Sequence, residues 1–186
     1  MTSDLTQLLI DVRQGNHTAV GDLFDRVYDE LRVLAHAQLR RMQPGYTLHT
    51  TALVHEAYLK LCDQTRLDVH DRAHFFALSA RAMRQVLIDY FRRTRAEKRG
   101  GDHRPVMFQE GLIPVEDRGE VLLALDEALT RLAGLNERLS RVVEYKFFGG
   151  MTQEEIARVL GVTDRTVRND WRKAKAWLAR ELSRDE

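Results

Sequence analysis

The 186-residue chain has one cysteine, Cys62, three prolines and eleven glycines. A lone thiol forms neither an internal disulfide nor a thiolate cluster, which excludes disulfide-stapled secreted scaffolds and cysteine-based zinc modules. Beside Leu61 and close to Leu59, Cys62 reads as a small buried hydrophobe. So little proline and glycine excludes collagen-like and linker-like chains. Charges recur every few residues, so no stretch nears the roughly 18–20 unbroken apolar residues of a membrane span. The opening MTSDLTQLLIDVRQGN has an early acid and no basic segment ahead of an apolar core. No signal peptide and no membrane partner are therefore expected, and the cytoplasm is the expected compartment.

What remains is an ordinary folded composition, 44% hydrophobic and 31% charged, at a length suited to one compact domain or two small ones. The net charge of +1 says little about partners, but its distribution says more. Residues 81–99 carry seven Lys/Arg against two acids, residues 163–182 carry six against three, and residues 108–137 carry seven acids against two bases. Two basic patches around an acidic middle fit two contacts with a polyanion, because phosphate neutralisation needs clustered Lys/Arg. The plainer reading is two solvated helix faces. The acidic middle is also expected to lie against one basic patch, so that the free chain binds DNA poorly.

The apolar period is helical almost throughout. Leu5, Leu8, Leu9 and Val12 fall at i, i+3, i+4 and i+7 and stop at Gly15-Asn16, a C-cap signal. Val20, Leu23, Phe24, Val27, Leu31, Leu34, Ala35 and Leu39 keep the period until Pro44-Gly45. A third helix runs from about Thr51 to Leu61, and a fourth from about Arg72 to Arg95 with Phe75, Phe76, Leu78, Ala82, Met83, Val86, Leu87 and Phe91 inward. Periodicity fails over 98–120, where Gly and Pro concentrate, and this segment reads as a linker. Helical period returns at Val121–Leu132, Asn136–Phe147, Thr152–Leu160 and Asp164–Leu182. The expected fold is all-α: a helix bundle over 1–97, a mobile linker over 98–120 and a second helical domain over 121–186.

The sharpest local signal lies in TQEEIARVLGVTDRTVR. Thr152 followed by Glu155 makes a capping box, Gly161 closes that short helix, and Thr163 caps the next one from Asp164. Ile156, Leu160, Val162 and Val167 are spaced to pack two helices steeply across a short turn, which is a helix-turn-helix. In that geometry the second helix offers Arg165, Thr166, Arg168, Asn169, Arg172 and Lys173 to the major groove. Arg and Asn match guanine and adenine edges, and the later basic residues suit phosphate. A helical hairpin with a charged outer face is the bland alternative.

The fourth helix offers a second contact. Tyr90 and Phe91 sit among Arg81, Arg84, Arg92, Arg93 and Arg95, and rings with cations serve single-stranded DNA by stacking on bases while guanidiniums follow phosphates. Phe91, Phe75 and Phe76 share the apolar stripe and read first as core.

These segments together resemble the extracytoplasmic-function (ECF) sigma factors of the bacterial sigma-70 family across essentially the whole chain. TALVHEAYLKL (51–61) is similar to region 2.2, FFALSARAMRQVLIDYFRRTRAEKRG (75–100) to regions 2.3 and 2.4, and TQEEIARVLGVTDRTVRNDWRKAKAWL (152–178) to region 4.2. The resemblance implies a subunit that joins core RNA polymerase, through its clamp helices and flap, and directs it to promoter DNA. The recognition helix would read the minus-35 element. His70, Asp71, Arg72 and His74 match the position that melts the minus-10 element and pockets a flipped base, and Arg81, Arg84, Gln85 and Asp89 would line the single strand. Thr50, Thr51, Leu53, His55, Glu56 and Lys60 match the polymerase-docking segment. No reaction is expected to be catalysed and no cofactor is expected.

Other readings remain open at this point. A stand-alone helix-turn-helix regulator would normally carry a mixed α/β sensor domain first, which the all-helical front half argues against. His70 and His74 stand at i, i+4 like a metal pair, but no third ligand is at ligand spacing, so no metal is expected. The chain also departs from the family: where most ECF sigma factors carry acidic residues at the start of region 2.2, it reads His49-Thr50-Thr51-Ala52. Phosphorylation of Thr50 or Thr51 would add about −1.5 to −2 charge at a helix N-terminus, where an anion is favoured. A Ser/Thr kinase or an anti-sigma factor is then an expected partner, the kinase taking the anti-sigma factor's place on the phosphorylation reading. The alternative is that the two threonines only cap the helix.

Overall fold

A computed structural model describes residues 2–40, 48–62, 69–100 and 116–183. Among them the chain forms eight helices and no strand. The first half contains α1 (Thr2–Arg13), α2 (His17–Arg40), α3 (Thr50–Cys62) and α4 (Arg72–Gly100). Each packs on the next, α1 on α2, α2 on α3 and α3 on α4. The core is made by the apolar stripes: Leu23, Leu31, Leu53, Leu61, Met83 and Leu87 are all below 2% exposed. Burying each such side chain stabilises the fold by about 1.5–3 kcal/mol. Phe75, Phe76 and Phe91 are buried among them, as their place on the apolar stripe requires. Cys62 is half-buried at the end of α3 rather than enclosed.

The second half contains α5 (Glu116–Leu135), α6 (Glu137–Phe147), α7 (Gln153–Leu160) and α8 (Asp164–Leu182). The starts of α6, α7 and α8 are set by side-chain caps. Asn136 accepts from the Leu139 amide at 3.2 Å, and Thr163 accepts from the Thr166 amide at 3.2 Å. Thr152 and Glu155 form the full capping box, with the Glu155 carboxylate 2.8 Å from the Thr152 amide. Gly161 ends α7 at φ +65, a left-handed conformation that costs glycine least.

Two boundaries differ from expectation. Helix α4 continues to Gly100 and α5 begins at Glu116, so both extend into the segment read as linker. Apolar period is silent there because these end turns are polar, yet Glu116 and Asp117 suit a helix N-terminus and no breaker precedes Gly100. Residues 101–115 of the expected linker and the Pro44-Gly45 stop lie outside the described residues. The halves also touch: α4 packs on α5, α6 and α7. At the turn after α6 a Cβ on Gly149 would fall 3.0 Å from the Ala80 Cβ and 2.5 Å from the Tyr145 carbonyl oxygen, so only glycine fits against α4 there.

Candidate nucleic-acid interface

Helix α8 is held from behind. Val167, Ala174 and Leu178 bury its inner face, and Asp170, on the same stripe, takes a bidentate contact from Arg138 on α6 at 2.6 and 3.4 Å. That carboxylate raises the Arg138 guanidinium's pKa by hydrogen bond and charge. With the inner face fixed, the helical period puts Arg165, Arg168, Asn169, Arg172 and Lys173 on the opposite side, all exposed. Among the described residues none of the four cations is in a salt bridge. Thr166 is different: half-buried, its hydroxyl lies 2.9 Å from that of Thr163, so it supports the cap as well as the face. Glu154, at the start of α7, is held below the usual carboxylate range by its own backbone amide and the Thr152 hydroxyl, with Lys146 and Arg168 adding to the effect.

The start of α4 gathers a second group. Asp71 caps the helix, accepting from the His74 amide at 2.8 Å, and the His70 and His74 rings stack at 4.8 Å between centroids. Arg72 does not point away with them. Its guanidinium lies 4.7 Å over the Phe76 ring and pairs with Glu30 of α2 and, at 3.4 Å, with Glu155 of α7.

Further along α4, the residues read as one single-strand lining divide between two faces. Arg84 lies against the second half. Its Nε is 2.9 Å from the Asp126 carboxylate of α5 and one terminal nitrogen is 2.9 Å from Glu144 of α6, with each of the three side chains under 15% exposed. Arg92 joins Asp126 at 3.2 Å and Arg81 approaches Glu144 at 3.8 Å. Asp89 faces the other way, 3.0 Å from Lys60 of α3, across a cleft of about 470 Å³ lined also by Glu56, Val86, Arg92 and Arg93. Gln85 is exposed.

On α3, Thr51, His55 and Glu56 are exposed and Thr50 is partly so. The Leu53 amide donates to the His49 carbonyl at 3.0 Å, which makes His49 the cap and the two threonines the first helical residues. Leu53 is a correction to the docking set. It is 0% exposed, because it lies on the α3 stripe with Val54, Ala57 and Leu61, and it cannot meet a partner. His55 sets its ring edge-on against Phe24 and Tyr28 of α2 at 6.4 and 6.3 Å.

The residues that the sequence does not single out are those joining the halves. Asp126, Glu144 and Gln38 are the main ones, the last 2% exposed and donating to the Phe147 and Phe148 carbonyls at 2.6 and 3.0 Å. A signal exists for Glu144 and Asp170, since each is an acid on an otherwise apolar stripe.

The family model described as ECF sigma factor matches residues 2–184. The chain belongs to the ECF sigma factor family, whose members act in transcription initiation. Among solved structures it is similar to one described as CnrH in complex with the cytosolic domain of CnrY, at 20% identity, 97% of this chain, 98% of that chain and a TM-score of 0.41. No curated protein matches the sequence. Among the described residues no helix is long and apolar enough to cross a membrane.

Proposed function

We propose that this protein binds core RNA polymerase and directs it to a set of promoters, working in the cytoplasm through binding and strand separation, with no reaction catalysed and no cofactor. The observation that carries the reading is α8: a capped recognition helix with five polar and cationic side chains on one exposed face and Val167, Asp170, Ala174 and Leu178 turned inward. Arg165, Arg168 and Asn169 contact minus-35 bases, Arg172 and Lys173 the phosphates, and Thr166 orients the start of the helix. His70, Asp71 and His74 receive the flipped minus-10 base, while Arg72, Arg81, Arg84, Gln85 and Asp89 follow or position the strand. Thr50, Thr51, His55, Glu56 and Lys60 form the surface that meets the polymerase clamp. Transcription from a promoter library with and without core polymerase tests this. Promoter-specific transcripts that need both proteins are the expected result, and DNA-dependent regulation without polymerase would favour a stand-alone regulator.

Control runs through Thr50 or Thr51. Supporting this are an exposed Thr51, a partly exposed Thr50 and a first turn of α3 without an acid. A Ser/Thr kinase adds the missing charge there, in the role an anti-sigma factor plays elsewhere. The Thr50→Ala/Thr51→Ala protein is expected to bind core polymerase no better than the unmodified chain even after kinase treatment, while Thr51→Glu or Thr50→Glu gains binding. Tight binding by the double Ala protein would reject the switch.

A further inference from the structure

Arg84 holds an unusual position for a side chain on a strand-binding helix, because its donors are already taken. Nε and one terminal nitrogen reach the Asp126 carboxylate at 2.9 and 2.7 Å, that nitrogen also lies 3.3 Å from the Asp126 backbone carbonyl, and the other terminal nitrogen reaches Glu144 at 2.9 Å. Its guanidinium sits 5.9 Å over the fully buried Phe148 ring. A planar guanidinium that converges two nitrogens on one oxygen of Asp126 and turns the third to Glu144 offers the same donors to a phosphate. Both anions cannot use it at once.

We propose that Arg84 is the pin of a closed state, in which Asp126 and Glu144 of the second half occupy the guanidinium a single strand requires, so that closure of the halves and strand binding compete for one side chain. The inference rests on the sigma reading for what the strand is, but not for the closure itself. Three guanidiniums, from Arg81, Arg84 and Arg92, converge on the two carboxylates. Neutralising the acids leaves three cations crowded in the closed state, whereas in the open state each is solvated. The effect of removing the acids is therefore to open the molecule, and what goes beyond a merely structural pair is that strand binding must tighten as it opens. Strand binding in turn opens the halves, by as much as its affinities for the two states differ.

The test uses the full chain with Cys62→Ser and dyes on Val33→Cys of α2 and Val121→Cys of α5, both positions well exposed. Asp126→Asn with Glu144→Gln is expected to lower energy transfer between the dyes and to tighten binding of a fluorescein-labelled (dT)20 strand by about tenfold, within the usual range of coupling between sites. Unchanged transfer with helicity retained overturns the pin, and a fall in transfer without tighter (dT)20 binding overturns the competition. Should the double substitution unfold the chain, the labelled protein with both acids intact still decides: (dT)20 must lower its transfer, and constant transfer at saturating strand sinks the proposal. The transfer measurement contains neither polymerase nor promoter. A chain that opens yet supports no transcription with core polymerase overturns the sigma reading alone. One that directs transcription while staying closed to (dT)20 overturns the pin alone.

Discussion

Helices α4 and α8 are both basic, but they keep their charge differently. On α8 the four cations of the outer face stand in solvent, and the only acid of its middle turns, Asp170, is turned inward onto Arg138. On α4, Arg72, Arg81, Arg84 and Arg92 lean on acids of the neighbouring half, with Arg84 under 15% exposed between Asp126 and Glu144, while Arg93 and Arg95 are exposed. The difference teaches that a count of Lys and Arg locates a basic helix without saying whether its charge is available. Availability depends on what packs across from it.

The comparison breaks most severely at Phe148. This ring is fully buried beneath Arg84, and Phe148→Ala is expected to cost about 3–5 kcal/mol of stability, measured by urea denaturation. A loss under about 1 kcal/mol would mean that the contact between halves contributes little. On the α8 side, Arg165→Ala or Arg168→Ala is expected to cost about 1–3 kcal/mol of promoter binding and to relax base preference. Lys175→Ala, whose ammonium lies 5.4 Å from the Trp171 ring, should instead weaken binding evenly across sequences. Equal losses on every sequence for all three would show that α8 does not read bases. The smallest expected effect is at the cap: Thr163→Ala removes the acceptor for the Thr166 amide and should lower stability by about 1 kcal/mol, visible in the thermal midpoint of the second half.

Much of this architecture is legible in the amino-acid sequence. The eight helices, the capping box at Thr152, the turn at Gly161 and the exposed row Arg165, Arg168, Asn169 and Arg172 follow from period and cap chemistry, which act over a few residues. The charge reversal between 81–99 and 108–137 points toward the acidic segment lying on one of the two basic patches, without saying which patch or which acid. Which residue it meets is not legible, because Arg84 and Asp126 are 42 positions apart and only tertiary packing sets their register. Gln38 illustrates the same limit, since its partners at Phe147 and Phe148 are backbone carbonyls and carry no side-chain signature. Leu53 falls in the wrong set for a related reason: one turn of an amphipathic helix holds both docking and core positions, and the resemblance marks the segment without separating its faces.

Glu155 divides its carboxylate between two tasks. One oxygen closes the capping box on the Thr152 amide at 2.8 Å, and the other lies 3.4 Å from Arg72 across the junction. Glutamine fills the same place in a capping box but brings no charge to the arginine. A single isosteric exchange at this position thus adjusts how firmly the two halves hold together while leaving the first helix of the helix-turn-helix properly begun.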